Sequence, residues 1–351
     1  MPGIRVDGFD AYEIYDIRQD SSPCIDLRGE IIKGLKSQPK TLPGLLLWDD
    51  NGQQLFDVFS QTPTYYPFHS EVEILDHRAS EIAGSVPEGS ALIELGCGTV
   101  RKTKSILSAL NKQGKYIHYF AVDVSLQGLS NSIMDLTKAM EGSKFVKITG
   151  LLGTYDDCVS WLSNPENLGE ITSVNMLWMG NSIANVHYSE ASAFLSRFRK
   201  ACEHSGTCCQ FLVSVDICQE FGRVSDAYSY DLPEFREFMS NGMWSANSNV
   251  GQEIFHSDDW VCDSEFDSDA QSLDLGFIAK RDVEVNDVEG STVSFQKGEK
   301  VNITTTGKWT EATMKRISMQ AGFTVQRRWK DDFNVYGEWN SCSKLSLERQ
   351  S

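Results

Sequence analysis

One stretch constrains this chain more than any other: Ala91-Leu-Ile-Glu-Leu-Gly-Cys-Gly-Thr99. A short apolar run, readable as a buried strand, enters a Gly-X-Gly turn, and a helical pattern starts after it at Arg101-Lys-Thr-Lys-Ser-Ile-Leu-Ser-Ala-Leu110. Gly96 and Gly98 let the backbone approach a ligand closely, because a Cβ at either position would occupy that space. The next apolar run, Tyr116-Ile-His-Tyr-Phe-Ala-Val-Asp123, closes on a carboxylate about 20–25 residues further on, where a doubly wound sheet meets a pair of ribose hydroxyls. The pattern predicts a nucleoside cofactor. The plainer alternative is a glycine turn after an ordinary strand.

A dinucleotide fold would ask for G-x-G-x-x-G, whose third small residue seats the helix on the strand. Here that position is Arg101, followed by Lys102. Glu94-Leu-Gly-Cys-Gly-Thr99 instead resembles the first motif of Rossmann-type methyltransferases that use S-adenosylmethionine. That cofactor has no pyrophosphate for a helix N-terminus to hold.

Composition narrows the partners. A chain of 351 residues, 40% of them hydrophobic, is globular and long enough for one large core or two moderate ones. Its net charge of −17, from 49 acidic against 32 basic residues, argues against a nucleic-acid partner. No apolar run is long enough to span a membrane, and the first residues lack the basic and apolar regions of a signal peptide. Nine cysteines, with no C-x-x-C pair, read as free thiols in a reducing cytoplasm rather than as disulfides or a metal site.

Strand and helix patterns alternate through the middle of the chain. A helical pattern covers Glu71 to about Ala83, and strands are expected at 91–95, 116–123, 144–149, 173–179 and through Val215. Helices are expected between them after Arg101, from about Leu126 to Met140, and from about Ser189 to Glu203. This alternation predicts an α/β fold with a parallel sheet covered on both faces. It stops after Asp216, where aromatics, Ser and Asn accompany short β-like pieces such as Ser291–Phe295 and Glu299–Thr305. A helix from Ala312 to Gly322 and strands at 323–329 and 335–339 complete the sheet.

Further motifs follow one another along the chain: Lys40-Thr-Leu-Pro-Gly-Leu-Leu-Leu-Trp-Asp49, Gln54-Leu-Phe-Asp57, and Thr64-Tyr-Tyr-Pro67 leading into Glu71. After the glycine motif with Lys102 come Gly153-Thr-Tyr-Asp-Asp157, Gly180-Asn-Ser-Ile-Ala-Asn185, Val215-Asp216 and Asp226-Ala-Tyr228. In this order, across about residues 38–340, the series resembles the histidine-specific methyltransferase family. That family is typified by the enzyme making the trimethylated histidine of ergothioneine, and includes fungal enzymes that N-methylate tryptophan derivatives. The resemblance implies a class I, Rossmann-like methyltransferase domain from 70–216 plus 308–351, and a smaller α+β substrate domain from 1–69 plus 217–307. The active site would then lie where the two meet.

The same resemblance implies roles. Glu94, Gly96, Gly98, Lys102, Asp123, Thr154, Tyr155 and Gly180 would hold S-adenosylmethionine, with Lys102 near its carboxylate, Asp123 on the ribose and Tyr155 by the adenine. The adenine amine contact would come from Thr154 or a backbone group. Asn185, Tyr65 and Tyr228 would hold the α-amine and α-carboxylate of the acceptor, and Trp48, Leu275 and Thr304 would line its pocket. Each has a plainer reading: a solvated helix lysine for Lys102, a turn residue for Asn185, core aromatics for the tyrosines. Where the histidine enzyme places Glu and Met, this chain has Thr304 and Leu275, so a charged partner for an imidazole is missing. A register slip to Ile303 or Thr305 supplies no acid either.

With these substitutions, the resemblance implies α-N-methylation of a bulky aromatic amino acid of the tryptophan type, such as 4-dimethylallyltryptophan, in fungal alkaloid metabolism. Alternatives are another fungal amine or peptide-derived metabolite, histidine itself, or a non-catalytic binding relative. The expected partner is a small molecule, with neither nucleic acid nor membrane, on a cytoplasmic monomer or homodimer.

Overall fold

The computed structural model describes residues 4–6, 12–19, 26–98, 100–286 and 292–343, so Thr99 of the glycine motif, Cys24 and Ser291 lie outside the described residues. The chain's contacts separate two compact units. One holds the described residues of Met1–Ser22, Pro67–Ile217 and Trp309–Ser351, and the other those of Pro23–Tyr66 and Cys218–Lys308.

The first unit begins with β1 (Ile4–Arg5), β2 (Glu13–Asp16), β3 (Ser90–Leu95), β4 (Ile117–Asp123), β5 (Val146–Leu152), β6 (Ser173–Trp178) and β7 (Cys208–Asp216). The second unit contributes β8 (Trp260–Asp267), β9 (Ser272–Ala279), β10 (Val283–Asn286), β11 (Thr292–Phe295) and β12 (Lys300–Gly307). The chain then returns to the first unit with β13 (Phe323–Lys330) and β14 (Tyr336–Ser343). One nine-stranded sheet runs β1-β2-β5-β4-β3-β6-β7-β14-β13. β2 through β7 pair in parallel, while β14 and β13 run antiparallel to their neighbours.

The apolar run at 91–95 forms the centre because both of its faces are covered. Ile93 packs with Phe120, Met176, Trp161 and Phe198 on one side, and Leu92 with Tyr119, Leu177, Ile74, Ile106 and Ile133 on the other. This alternation is the period-two pattern of a strand between two helical layers. The strand order reverses at β3, whose neighbours are β4 and β6. A crevice beyond the strand ends opens at such a switch point.

Four expectations are corrected. Residues 1–69 do not all belong with the substrate unit: Glu13–Asp16 pairs in parallel with Thr149–Leu152, burying Ile14 and covering what would otherwise be the open edge of β5. The sheet is mixed: β1 pairs antiparallel with β2 at one edge, and at the other the β13–β14 hairpin, which can only pair antiparallel within itself, also runs antiparallel to β7. The region after Asp216 is not only β-like, since it contains the 18-residue helix Pro233–Val250. That helix has Pro at its first turn, a buried stripe of Phe235, Phe238, Met239, Met243, Ala246 and Val250, and Gly251 in the left-handed region at its end. Its Ser and Asn residues masked this period. The strand expected at 144–149 also lies slightly later, at 146–152.

In the second unit, β12, β9 and β8 form an antiparallel sheet and β10–β11 a separate hairpin. The eight described cysteines are free thiols. Among the described residues, no helix is long and apolar enough to cross a membrane.

Candidate active site

Beyond Leu95 the chain turns sharply, and the Gly96 and Cys97 amides donate to the Val122 carbonyl at 3.0 and 3.3 Å. This ties the glycine turn to the end of β4. Gly96 has φ +70° and Gly98 φ +41°. A Cβ on Gly96 would stand 2.8 Å from the Tyr155 hydroxyl, whereas the space beside Gly98 is open, so only its backbone conformation asks for glycine. Ser132 Oγ donates to the Gly98 carbonyl at 2.6 Å.

Asp123 ends β4, buried, with Oδ1 accepting from the Ser125 amide at 2.9 Å and Oδ2 3.9 Å from Cys97 Sγ. Burial pushes its pKa up, against the pull of the Ser125, Gly98 and Val124 amides. Burial, with the Asp123 charge, likewise raises that of Tyr155. The structure therefore brings Gly96, Gly98, Asp123 and Tyr155 together at the ends of β3 and β4.

Glu94 and Thr154 are both engaged within the fold. Both Glu94 oxygens accept from Thr103 Oγ1 at 3.0 and 2.8 Å, and Oε2 also from the Tyr119 hydroxyl at 2.5 Å. Burial pushes its pKa up to about 7, opposed by those two hydroxyls. Glu94 fastens the helix Arg101–Lys112 to β3 and β4. Glu94→Ala strips two buried hydroxyls of their acceptor, and is expected to cost about 2–4 kcal/mol in urea unfolding. A loss below measurement error would remove this role. Thr154 caps the helix Tyr155–Leu162: its hydroxyl donates to Asp157 Oδ2 at 2.7 Å and accepts the Asp157 amide at 3.1 Å. The hydroxyl's proton is thus committed to the cap.

Lys102 and Gly180 meet through a residue that spacing alone did not single out. Glu71 accepts from Lys102 Nζ at 2.7 Å and from the Gly180 amide at 2.9 Å. Gly180 has φ +74°, and Asn181 follows at φ +60°, its Oδ1 taking the Asp216 amide at 2.9 Å. This leads into the short 3-10 turn Ser182–Asn185. Asn185 stands at its end, exposed.

In the second unit the aromatic positions form one cluster. Trp48 packs on Phe56 and Phe238, Phe56 and Phe59 on Tyr65, and Tyr65 on Tyr228 with ring centroids 5.5 Å apart. Both tyrosines are buried, so they serve packing as well as any polar role. The fully buried Lys308 donates to the Tyr228 hydroxyl at 3.1 Å, a contact that its place beside Trp309 did not signal. Thr304 and Leu275 are directly opposed across β12 and β9, just past a bulge between Asn302 and Thr304. The neighbouring Thr305 Oγ1 bonds Asp274 Oδ1 at 2.6 Å, and strand alternation sends that acid to the opposite face from Leu275.

A family model described as "Histidine-specific methyltransferase, SAM-dependent" matches residues 27–339. The N-methyltransferase benX of Aspergillus terreus is 44% identical over 340 residues, covering 96% of this chain and 93% of that protein. The N-methyltransferase dtpB of Aspergillus flavus is 38% identical over 311 residues, covering 89% of this chain and 87% of its own length. The 4-dimethylallyltryptophan N-methyltransferase easF of Epichloe festucae var. lolii is 30% identical over 316 residues, with 86% of this chain and 90% of that protein covered.

Proposed function

Because the chain belongs to the histidine-specific, S-adenosylmethionine-dependent methyltransferase family, and is an N-methyltransferase, we propose that it methylates the aliphatic amine of an aromatic amino-acid-derived or peptide-derived fungal metabolite. Free histidine is not the acceptor in this reading. The observation that carries it is the facing pair Thr304 and Leu275, a neutral hydroxyl and an isobutyl group where a histidine-selective site needs an acid. A pocket without that acid forfeits its discrimination for a polar ring, a difference that can reach several kcal/mol. The relative named for 4-dimethylallyltryptophan is less similar than the two named only as N-methyltransferases, which favours the broader acceptor class over prenylated tryptophan itself.

The groups present suit the cofactor. The Gly96 turn is a cradle that a Cβ would fill, and Asp123 offers a carboxylate for ribose hydroxyls. When bound, S-adenosylmethionine supplies an electrophilic methyl on a cationic sulfur. What remains for the chain is positioning: the amine must arrive neutral, desolvated and aimed along the displacement line. Asn185 is suited to orient the amine, and Tyr65 and Tyr228 to hold a carboxylate or its amide equivalent.

The test is a labelled-methyl assay over histidine, tryptophan, prenylated tryptophan and small aromatic peptide-derived amines, with products mapped by mass spectrometry. Methylation of an aliphatic amine in the aromatic set, and none of histidine, is the expected result. Efficient histidine turnover, or a methyl on a ring nitrogen, overturns the reading.

A further inference from the structure

Around Glu71, in the first unit, lies a buried polar cluster whose members come from four elements. Glu71 belongs to the helix Tyr66–Ser85, Lys102 to the helix Arg101–Lys112, Ser214 to β7, and Tyr336 and Glu338 to β14. Glu71 Oε1 accepts from the Gly180 amide at 2.9 Å and lies 2.7 Å from Ser214 Oγ. Its Oε2 accepts from Lys102 Nζ at 2.7 Å, with the Tyr336 hydroxyl 3.4 Å away. Ser214 Oγ is also 2.7 Å from Glu338 Oε1, while Glu338 Oε2 is buried with no hydrogen-bond partner among the described residues.

Counting protons decides the ionisation of this cluster. A serine hydroxyl has one proton and can give it to only one of two carboxylate oxygens. With both acids ionised, one of the two 2.7 Å contacts would contain no proton, and Glu338 Oε2 would be a bare anionic oxygen out of water. A proton on Glu338 Oε1 removes both faults. Glu338 then donates to Ser214, Ser214 donates to Glu71, and Oε2 becomes a neutral carbonyl oxygen. Glu71 is the acceptor in this arrangement, since it also takes the Lys102 ammonium and the Gly180 amide. Burial and the Glu71 charge push the Glu338 pKa up to about 8, in agreement with this count.

We propose that Glu338 is a proton-holding carboxylic acid which, through Ser214, fixes Glu71 on Lys102 and on the Gly180 amide, and that loss of its proton weakens binding of the cofactor's carboxylate end. This rests on the reading that Lys102 and Gly180 face that carboxylate. Lys102 keeps 17% of its side chain exposed and Glu71 only 1%, so the lysine alone of this pair can also meet a ligand. With Glu338 neutral, Lys102 and Glu71 sum to zero charge. With Glu338 ionised, a second buried anion stands near the lysine and opposes an incoming carboxylate. Glu71, Ser214 and Glu338 are positioning residues.

Calorimetric titration of S-adenosylhomocysteine into the whole protein and into Glu338→Gln, between about pH 7 and about pH 9, tests this. The affinity of the unmodified protein is expected to fall about tenfold more over that range than that of Glu338→Gln. Titration of the ligand's own amine is common to both proteins and cancels in the comparison. 5′-Methylthioadenosine, which lacks the carboxylate, should show no such difference between them. Identical pH profiles for S-adenosylhomocysteine, or an equal difference for methylthioadenosine, overturn the proposal. No binding of either ligand at any pH overturns instead the cofactor reading on which it rests. Should Glu338→Gln not fold, infrared spectra of the unmodified protein and Ser214→Ala decide. Glu94 titrates near there too but does not touch Ser214, so the readout is the part of the protonated-carboxyl band that Ser214→Ala shifts: its presence at about pH 7 with loss toward about pH 9 supports the proposal, and the absence of any Ser214-sensitive band at about pH 7 overturns it.

Discussion

Asn185→Ala is expected to lower turnover by about a hundredfold while leaving cofactor affinity unchanged, because a small misplacement of the reacting amine can cost that much. The residue is exposed at the end of the Ser182–Asn185 turn. Truncation therefore costs the fold little, and surface changes of this kind usually stay within about 0.5 kcal/mol. A fall in kcat with an unchanged melting temperature and an unchanged cofactor Kd would report on the acceptor alone. Normal steady-state kinetics in this variant would take Asn185 out of the acceptor site.

Asp123→Ala is expected to weaken binding of S-adenosylmethionine by about 1–3 kcal/mol, the range for losing hydrogen bonds to a charged acceptor. The side chain accepts from the Ser125 amide at 2.9 Å, feels the Gly98 and Val124 amides and makes a long thiol contact, while the backbone link from the Gly153 amide to the Asp123 carbonyl survives the substitution. The end of β4 should thus keep its shape. Asp123→Asn keeps an acceptor for Ser125 and loses only the charge, so its affinity should fall between the two. Calorimetry that finds wild-type affinity in Asp123→Ala would exclude the residue from the ribose site.

The glycine turn and Asp123 were legible because the information is local. A strand that packs on both faces leaves an unbroken apolar run, the two glycines mark backbone with positive φ, and the carboxylate closes the next run. β3, β4 and the helix between them followed from the same short-range pattern. The helix Pro233–Val250 was hidden, although its buried stripe has regular spacing, because Ser and Asn fill the positions between. The resemblance picked out Thr304 and Leu275 separately, but their direct opposition depends on the register of β12 on β9 and the bulge before Thr304.

The sequence by itself determined the α/β alternation, the glycine turn with its acidic partner, and the neutral character of the positions at Thr304 and Leu275. Those properties reside in residue types and in spacings of a few turns or a single strand. Only the tertiary structure decided that Glu13–Asp16 extends the sheet, that Glu94 fastens the helix Arg101–Lys112, and that Ser214 bridges acids 143 and 124 residues away in the chain. The physical reason is range. Periodicity shows which face of an element is buried, but a buried carboxylate's ionisation depends on which donors fold against it, and those donors lie on elements whose packing no local pattern specifies.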